Sequence, residues 1–215
     1  TSKLTVWANN TWSNGLPNSG VNAIINAPYT AANGNVVAKN LTVNSELNFN
    51  KNTGNSVVVH HDLIVNGSFV IGDKESLVMT DDIAKIEGDI TKIEKSFTRK
   101  DFKELSYWSS PVEDAALGKV FADVDASRIF TYDQSKTSSS SPSNDPDKNY
   151  WEVWTPTLGK MVPGIGYAVE GPKEVTGVHT ISFTGTPNNG LINTSMKGNF
   201  GDNDLQNDFN FVGNP

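Results

Sequence analysis

The sequence predicts an all-β fold, with a short three-strand-per-turn β-solenoid (β-helix) followed by a β-sandwich-like domain. Three observations predict it. Apolar triplets recur every 20 to 22 residues between Val36 and Ile93. Asn, Gly, Thr, Ser and Val dominate the composition, and only 19% of the 215 residues are charged, too few for long solvated helices. Beyond Lys95 the repeat stops and strand-like segments follow at uneven spacing. The chain therefore divides into residues 1–95, a solenoid with an N-terminal cap, and residues 96–215, a sandwich-like domain.

The triplets come in threes. Val36-Val37-Ala38, Leu41-Thr42-Val43 and Leu47-Asn48-Phe49 precede the polar turn Asn50 to Ser56. Val57-Val58-Val59, Leu63-Ile64-Val65 and Phe69-Val70-Ile71 precede Gly72 to Ser76. Leu77-Val78-Met79, Ile83 to Ile86 and Ile90 to Ile93 complete the series. Leu41 to Leu63 and Leu47 to Phe69 each span 22 residues, Val36 to Val57 spans 21 and Val57 to Leu77 spans 20. A fixed period with three short strands is the signature of stacked coils. Side chains alternate along a strand, so the outer two of each triplet face inward. Asn33-Gly34, Asn66-Gly67, Asp82 and Gly88 are expected at corners in left-handed backbone conformations. A meander of antiparallel hairpins is the alternative. Residues 1–35 are expected to cap the first coil, with Trp7, Trp12 and Tyr29 covering it and Val21 to Ile25 forming an irregular coil.

In the second half the candidate strands are Ser106–Ser109, Arg128–Tyr132, Tyr150–Thr155, Gly166–Glu170, His179–Thr184, Gly190–Met196 and Asp208–Val212. Turn-rich spacing of about seven strands points to a sandwich. Pro187-Asn188-Asn189-Gly190 is a turn between two of them, and Ala115 to Phe121 has room for one helical turn. The serine-rich stretch 135–149 is expected as an exposed loop within the domain.

Charge and residue types narrow the chemistry. A net charge of −7 repels phosphate backbones, so nucleic-acid binding is not expected. The chain has no cysteine, which excludes a thiol nucleophile, a disulfide framework and a Cys zinc site. No apolar run approaches the ~20 residues a spanning helix needs, so membrane insertion is not expected. Asp202, Asp204 and Asp208 alternate along one polar segment, as oxygen ligands of Ca²⁺ do, although the EF-hand pattern is absent; a solvated acidic turn is the alternative. Asp123, Asp125, Asp145 and Asp147 are weaker metal candidates. Tyr150, Trp151 and Trp154 cluster beside the serine-rich loop, and exposed rings of this kind stack on sugar faces, though core packing uses them as well. His60 and His61 are adjacent and point apart, which suits a corner better than a shared metal. No Gly-x-Ser-x-Gly elbow and no phosphate-cradling loop is present. A solenoid lyase would need basic residues on one face, whereas Arg99 and Arg128 lie outside the repeats.

Several segments carry a family resemblance. Trp12-Ser13-Asn14-Gly15-Leu16-Pro17-Asn18, Asn40-Leu41-Thr42-Val43-Asn44 and Asp62-Leu63-Ile64-Val65-Asn66-Gly67 resemble the opening and the solenoid repeats of large Bacteroidetes surface proteins. Tyr107 to Val112, Pro163-Gly164-Ile165-Gly166-Tyr167, Phe183 to Gly190 and Phe211-Val212-Gly213-Asn214-Pro215 resemble the module that follows in them. The resemblance covers most of the chain and is to flavobacterial, adhesin-like cell-surface proteins exported by the type IX secretion system. In these, the Gly-Asn-Pro piece runs on into more strands and a sorting domain ends the chain. The resemblance thus implies a secreted fragment of a longer protein with its second domain truncated.

The function expected is non-catalytic: a structural and adhesive module, monomeric as a fragment of a larger chain, with surface glycans or other extracellular ligands as partners. The alternative is a carbohydrate-binding accessory module of a secreted polysaccharide-degrading enzyme. A small β-helix lyase is a third reading.

Overall fold

The computed structural model describes residues 3–50, 53–101, 103–132, 154–156, 159–171, 176–196 and 210–214. The backbone forms two compact units, Thr1–Phe97 with His179–Leu191, and Thr98–Val178 with Ile192–Pro215.

In the first unit, β1 (Lys3–Ala8) and β2 (Thr11–Trp12) form an antiparallel pair. Coils of three strands follow: β3 (Val21–Ile25), β4 (Tyr29–Thr30) and β5 (Val36–Ala38); β6 (Leu41–Val43), β7 (Glu46–Phe49) and β8 (Ser56–Val59); β9 (Leu63–Val65), β10 (Ser68–Ile71) and β11 (Ser76–Met79). A last coil starts with β12 (Ile86–Glu87) and β13 (Ile90–Arg99). Corresponding strands pair in parallel, with Leu41 opposite Leu63, Leu47 opposite Phe69 and Val57 opposite Leu77. Parallel pairing excludes the hairpin meander and defines a β-solenoid of about four turns.

Alternation decides what the coils bury. Val36, Ala38, Leu41, Val43, Leu47, Phe49, Val57, Val59, Leu63 and Phe69 are fully buried, while Val37, Thr42, Asn48, Val58, Ile64 and Val70 face outward. Each large aliphatic or aromatic side chain removed from water contributes about 1.5–3 kcal/mol. Inward stacking of like on like therefore supplies most of the unit's driving force.

The ends depart from the repeat in different ways. At the start, Trp7, Trp12 and Tyr29 close the core, with ring centroids 4.8 Å apart for Trp7–Tyr29 and 5.5 Å for Trp7–Trp12. Val21–Ile25 is not irregular: β3 pairs in register with both β1 and β6. Its coil is only shorter, since Asn22 bonds to Asn40, 18 residues on, where the next two coils take 22 and 23 at the same corner. At the other end, Ile83 does not face inward; it is 89% exposed. Asp81 holds a tight turn, accepting from Ile83 N through Oδ1 and from Ala84 N through its carbonyl, and this ejects Ile83. The expected triplet shrinks to the two residues of β12.

Corners are fixed by side-chain ladders. Asn66 Nδ2 donates to Asn44 Oδ1 and Asn44 Nδ2 to Asn26 Oδ1, each at 2.9 Å. On a neighbouring corner Asn40 Oδ1 accepts from Asp62 N, and Asp62 Oδ1 from Lys85 N. Gly34 and Gly88 adopt the expected positive φ, at 93° and 80°. Gly67 and Asp82 do not. Gly67 is required for another reason: the chain of the preceding coil runs so close that an added Cβ would collide with the Ser45 carbonyl oxygen.

In the second unit, β14 (Leu105–Trp108), β15 (Ile129–Tyr132), β16 (Trp154–Pro156) and β17 (Tyr167–Glu170) form an antiparallel sheet, order β14-β17-β15-β16. A single helical turn, α1 (Leu117–Val120), lies where one is expected. Two expected strands differ. Residues 191–196 form no strand, and the segment His179–Thr184 falls within β18 (Gly177–Gly185), which joins the solenoid sheet beside β13. The turn at Asn188-Asn189-Gly190 therefore leads out of the solenoid rather than into a hairpin, and Asn189 Nδ2 donates to Asp81 O at 3.0 Å. Of Asp208–Val212, residues 210–212 are described, with Val212 bridging to Ile165.

Candidate functional site

The sequence-predicted sites meet the structure unevenly. Asp202, Asp204 and Asp208 lie outside the described residues, as do Asp145, Asp147, Tyr150 and Trp151. Trp154 opens β16, where its backbone pairs opposite Tyr132. Asp125 caps a short 3₁₀ turn: its Oδ1 accepts from Ser127 N at 2.8 Å and from Ser127 Oγ at 2.6 Å. These bonds hold its carboxyl below the ordinary range, with a smaller contribution from Arg128. Among the described residues no group of three or more His, Asp or Glu side chains is placed to hold a metal ion.

The histidines and arginines do structural work. His60 and His61 follow β8 at a corner, as expected. His60 Nδ1 lies 3.0 Å from Thr80 Oγ1. His61 sits between two carboxylates, with Nδ1 2.8 Å from Asp62 Oδ1 and Nε2 3.4 Å from Asp81 Oδ2. The first distance is short, but its angle does not make a hydrogen bond. Arg99 is buried and donates to Asp101 O at 2.9 Å. Arg128 pairs with Glu170 at 3.0 Å. Trp108 is a packing residue, its Nε1 donating to Ser106 Oγ and its ring 6.0 Å from Phe121.

Among the described residues, a cleft in the second unit has the shape to receive a small ligand. Its volume is about 130 Å³, and it opens between the end of β15, the loop before β17 and two segments near the C-terminal end. Glycines build it. Gly164 leaves no room for a Cβ because Thr194 Oγ1 occupies that space, and a Cβ on Gly166 would stand 2.6 Å from the Phe211 ring. Two backbone bonds zip the segments together, Gly166 N to Phe211 O at 3.0 Å and Gly213 N to Gly164 O at 2.9 Å. Tyr107 packs edge-on against Phe211 at 5.4 Å. Partial burial pushes the Tyr132 phenol above its usual pKa. On the loop's inner side, burial raises the Tyr167 phenol as well, partly offset by the bond it accepts from Val162 N at 2.8 Å.

Two of the strings that contribute to this cleft, Pro163-Gly164-Ile165-Gly166-Tyr167 and Phe211-Val212-Gly213-Asn214, stand in the sequence only as marks of kinship. The signal available was the alternation of small residues in each, which permits two backbones to approach closely. That the two strings approach one another could not be read from their spacing.

The fold and the cleft define a class: an all-β protein with a capped parallel solenoid and a second, antiparallel β unit. Residues 2–215 match the family model of a domain of unknown function, DUF8693, and the chain belongs to that family. No curated protein and no solved structure matches it.

Proposed function

We propose that the chain is a non-catalytic structural and adhesive module of a secreted cell-surface protein. The observation that carries this reading is the continuous parallel stack from β3 to β13, closed at its start by aromatic rings and laced at its corners by Asn ladders. Such a stack is rigid along its axis and gains its stability coil by coil, which suits a spacer. Asp125 caps a turn, Asp62 holds a corner and Arg128 pairs with Glu170, polar roles that serve the fold and agree with a structural module. The kinship with type IX-secreted adhesins belongs to the same proposal, as does Ca²⁺ on Asp202, Asp204 and Asp208.

The antiparallel sheet is proposed as one layer of a sandwich. Tyr167, Ala168 and Val169 are consecutive and all buried, so both faces of β17 are covered. Immunolabelling of intact and lysed cells of the producing organism tests the surface assignment. Labelling of intact cells, abolished by external protease, is the expected result. Labelling only after lysis would overturn it. A second reading, a carbohydrate-binding accessory module, is favoured by the cleft beside Phe211. Saturable retention on insoluble polysaccharide, lost in Trp154→Ala, would support the aromatic platform that reading places on Tyr150, Trp151 and Trp154.

A further inference from the structure

We infer that the cleft of the second unit is a binding site for a single neutral sugar ring, the terminal residue of a glycan. This deepens the binding role proposed for the second unit, and rests on it.

The lining sets the chemistry. Thr131, Thr194, Ser195 and Asn210 present hydroxyl and amide groups, each able both to donate and to accept. The apolar wall is Phe211 with Ile165 and Val212. Among the described residues no Asp, Glu, Lys or Arg lines the cleft. These residues offer a charged ligand no counter-charge to offset its desolvation, which is costly. A purely apolar ligand would displace water from the Thr131, Thr194 and Ser195 hydroxyls without replacing its hydrogen bonds, which is unfavourable. A pyranose satisfies both demands, with equatorial hydroxyls around its rim and a C–H face that packs on an aromatic ring.

Size gives the second constraint. At about 130 Å³ the cleft is smaller than the roughly 300–1,000 Å³ of sites that enclose drug-sized ligands. One ring fits where a run of several would not, so the site reads an end and not the interior of a polymer.

Preorganisation gives the third. The Phe211 wall cannot swing freely, because it is pressed on Gly166 from one side, met edge-on by Tyr107, and tied by the backbone bonds of Gly166 and Gly213. Thr194 is seated against Gly164 in the same way. Holding the wall and a hydroxyl in place before binding reduces the ordering cost that weak, small ligands can least offset.

The test is saturation-transfer difference NMR on the whole chain. The probes are methyl β-D-glucopyranoside, methyl β-D-galactopyranoside, methyl α-D-mannopyranoside and N-acetylglucosamine, with glucuronate and glucosamine as charged controls. Saturable binding of at least one neutral probe, and none of the charged pair, is expected. Thr131→Val and Ser195→Ala, both conservative and placed at the lining, should each weaken that binding about threefold to tenfold. Gly166→Ala should abolish it by displacing Phe211, with far-ultraviolet circular dichroism establishing that the variant is folded. No saturable binding by any neutral probe would overturn the inference and leave the surface-labelling result untouched. So would binding that is unchanged in Thr131→Val and Ser195→Ala but lost in Trp154→Ala, which would move the ligand to the aromatic platform instead.

Discussion

Phe69→Ala is the sharpest single perturbation of the solenoid. Phe69 is fully buried in β10 and lies in register on Leu47 of the coil before. Truncating a buried phenylalanine in a packed core costs about 3–5 kcal/mol, the transfer loss and the cavity together. Whole domains are stable by only about 5–15 kcal/mol, so the loss is a large share. At about 2–4 °C per kcal/mol for a chain of this size, the melting temperature should fall by roughly 6–20 °C. Val70 is the internal control, since it is the next residue on the same strand and faces outward. Val70→Ala should cost less than about 1 kcal/mol. Urea unfolding and thermal melts followed by circular dichroism measure both. A Val70→Ala cost equal to or above that of Phe69→Ala would mean that the wrong face has been assigned to the core, and the inward stacking would be refuted.

Three other outcomes are expected. Asn44→Ala cuts the Asn26–Asn44–Asn66 ladder at its centre; two exposed hydrogen bonds are lost, so urea unfolding should show a destabilisation of about 1 kcal/mol. Gly88→Ala forces a Cβ onto a backbone at φ 80° and into the Val65 carbonyl oxygen; hydrogen exchange should speed up at β12 and β13 with the early coils unchanged. The Asp125 carboxyl is held below its ordinary 3.8 by the Ser127 hydroxyl and amide. The unfolded chain therefore takes up this proton before the folded one does, so the contribution is present above the ordinary carboxylate range and disappears as pH falls through the folded value. Asp125→Asn should flatten that part of the acid-unfolding profile and leave the profile near neutrality unchanged.

The solenoid was visible in the sequence because its physics is periodic. A residue facing inward in one coil stands over a residue facing inward in the next, so Leu41 and Leu63 had to be alike and at a fixed distance. The aromatic cap was visible for a related reason, since large rings before the first repeat have an open core to cover. What the sequence hid was non-local. β18 reads as one more strand of the second half, and only three-dimensional pairing returns it to the first unit. Ile83 has the spacing of a core residue, but the turn held by Asp81 overrides the pattern. Gly67 carries the right residue for a corner with a different cause, a close approach in place of a left-handed φ. The cleft is hidden in the same way as β18, because Gly166 and Phe211 are far apart along the chain and meet only after folding.

A designed disulfide tests the parallel register most directly, because the chain has no cysteine of its own. Thr42 and Ile64 are register partners on adjacent coils, both facing outward. Neighbouring strands lie about 4.8 Å apart, inside the roughly 4.4–6.8 Å that a disulfide spans. Thr42→Cys/Ile64→Cys should therefore oxidise fully and intramolecularly, read by mass spectrometry of the non-reduced digest. Thr42→Cys/Asn48→Cys should stay reduced, because those residues lie on different sheets of one coil. Oxidation of the second pair and not the first would show consecutive strands folding back as a hairpin, and would contradict the solenoid on which the account stands.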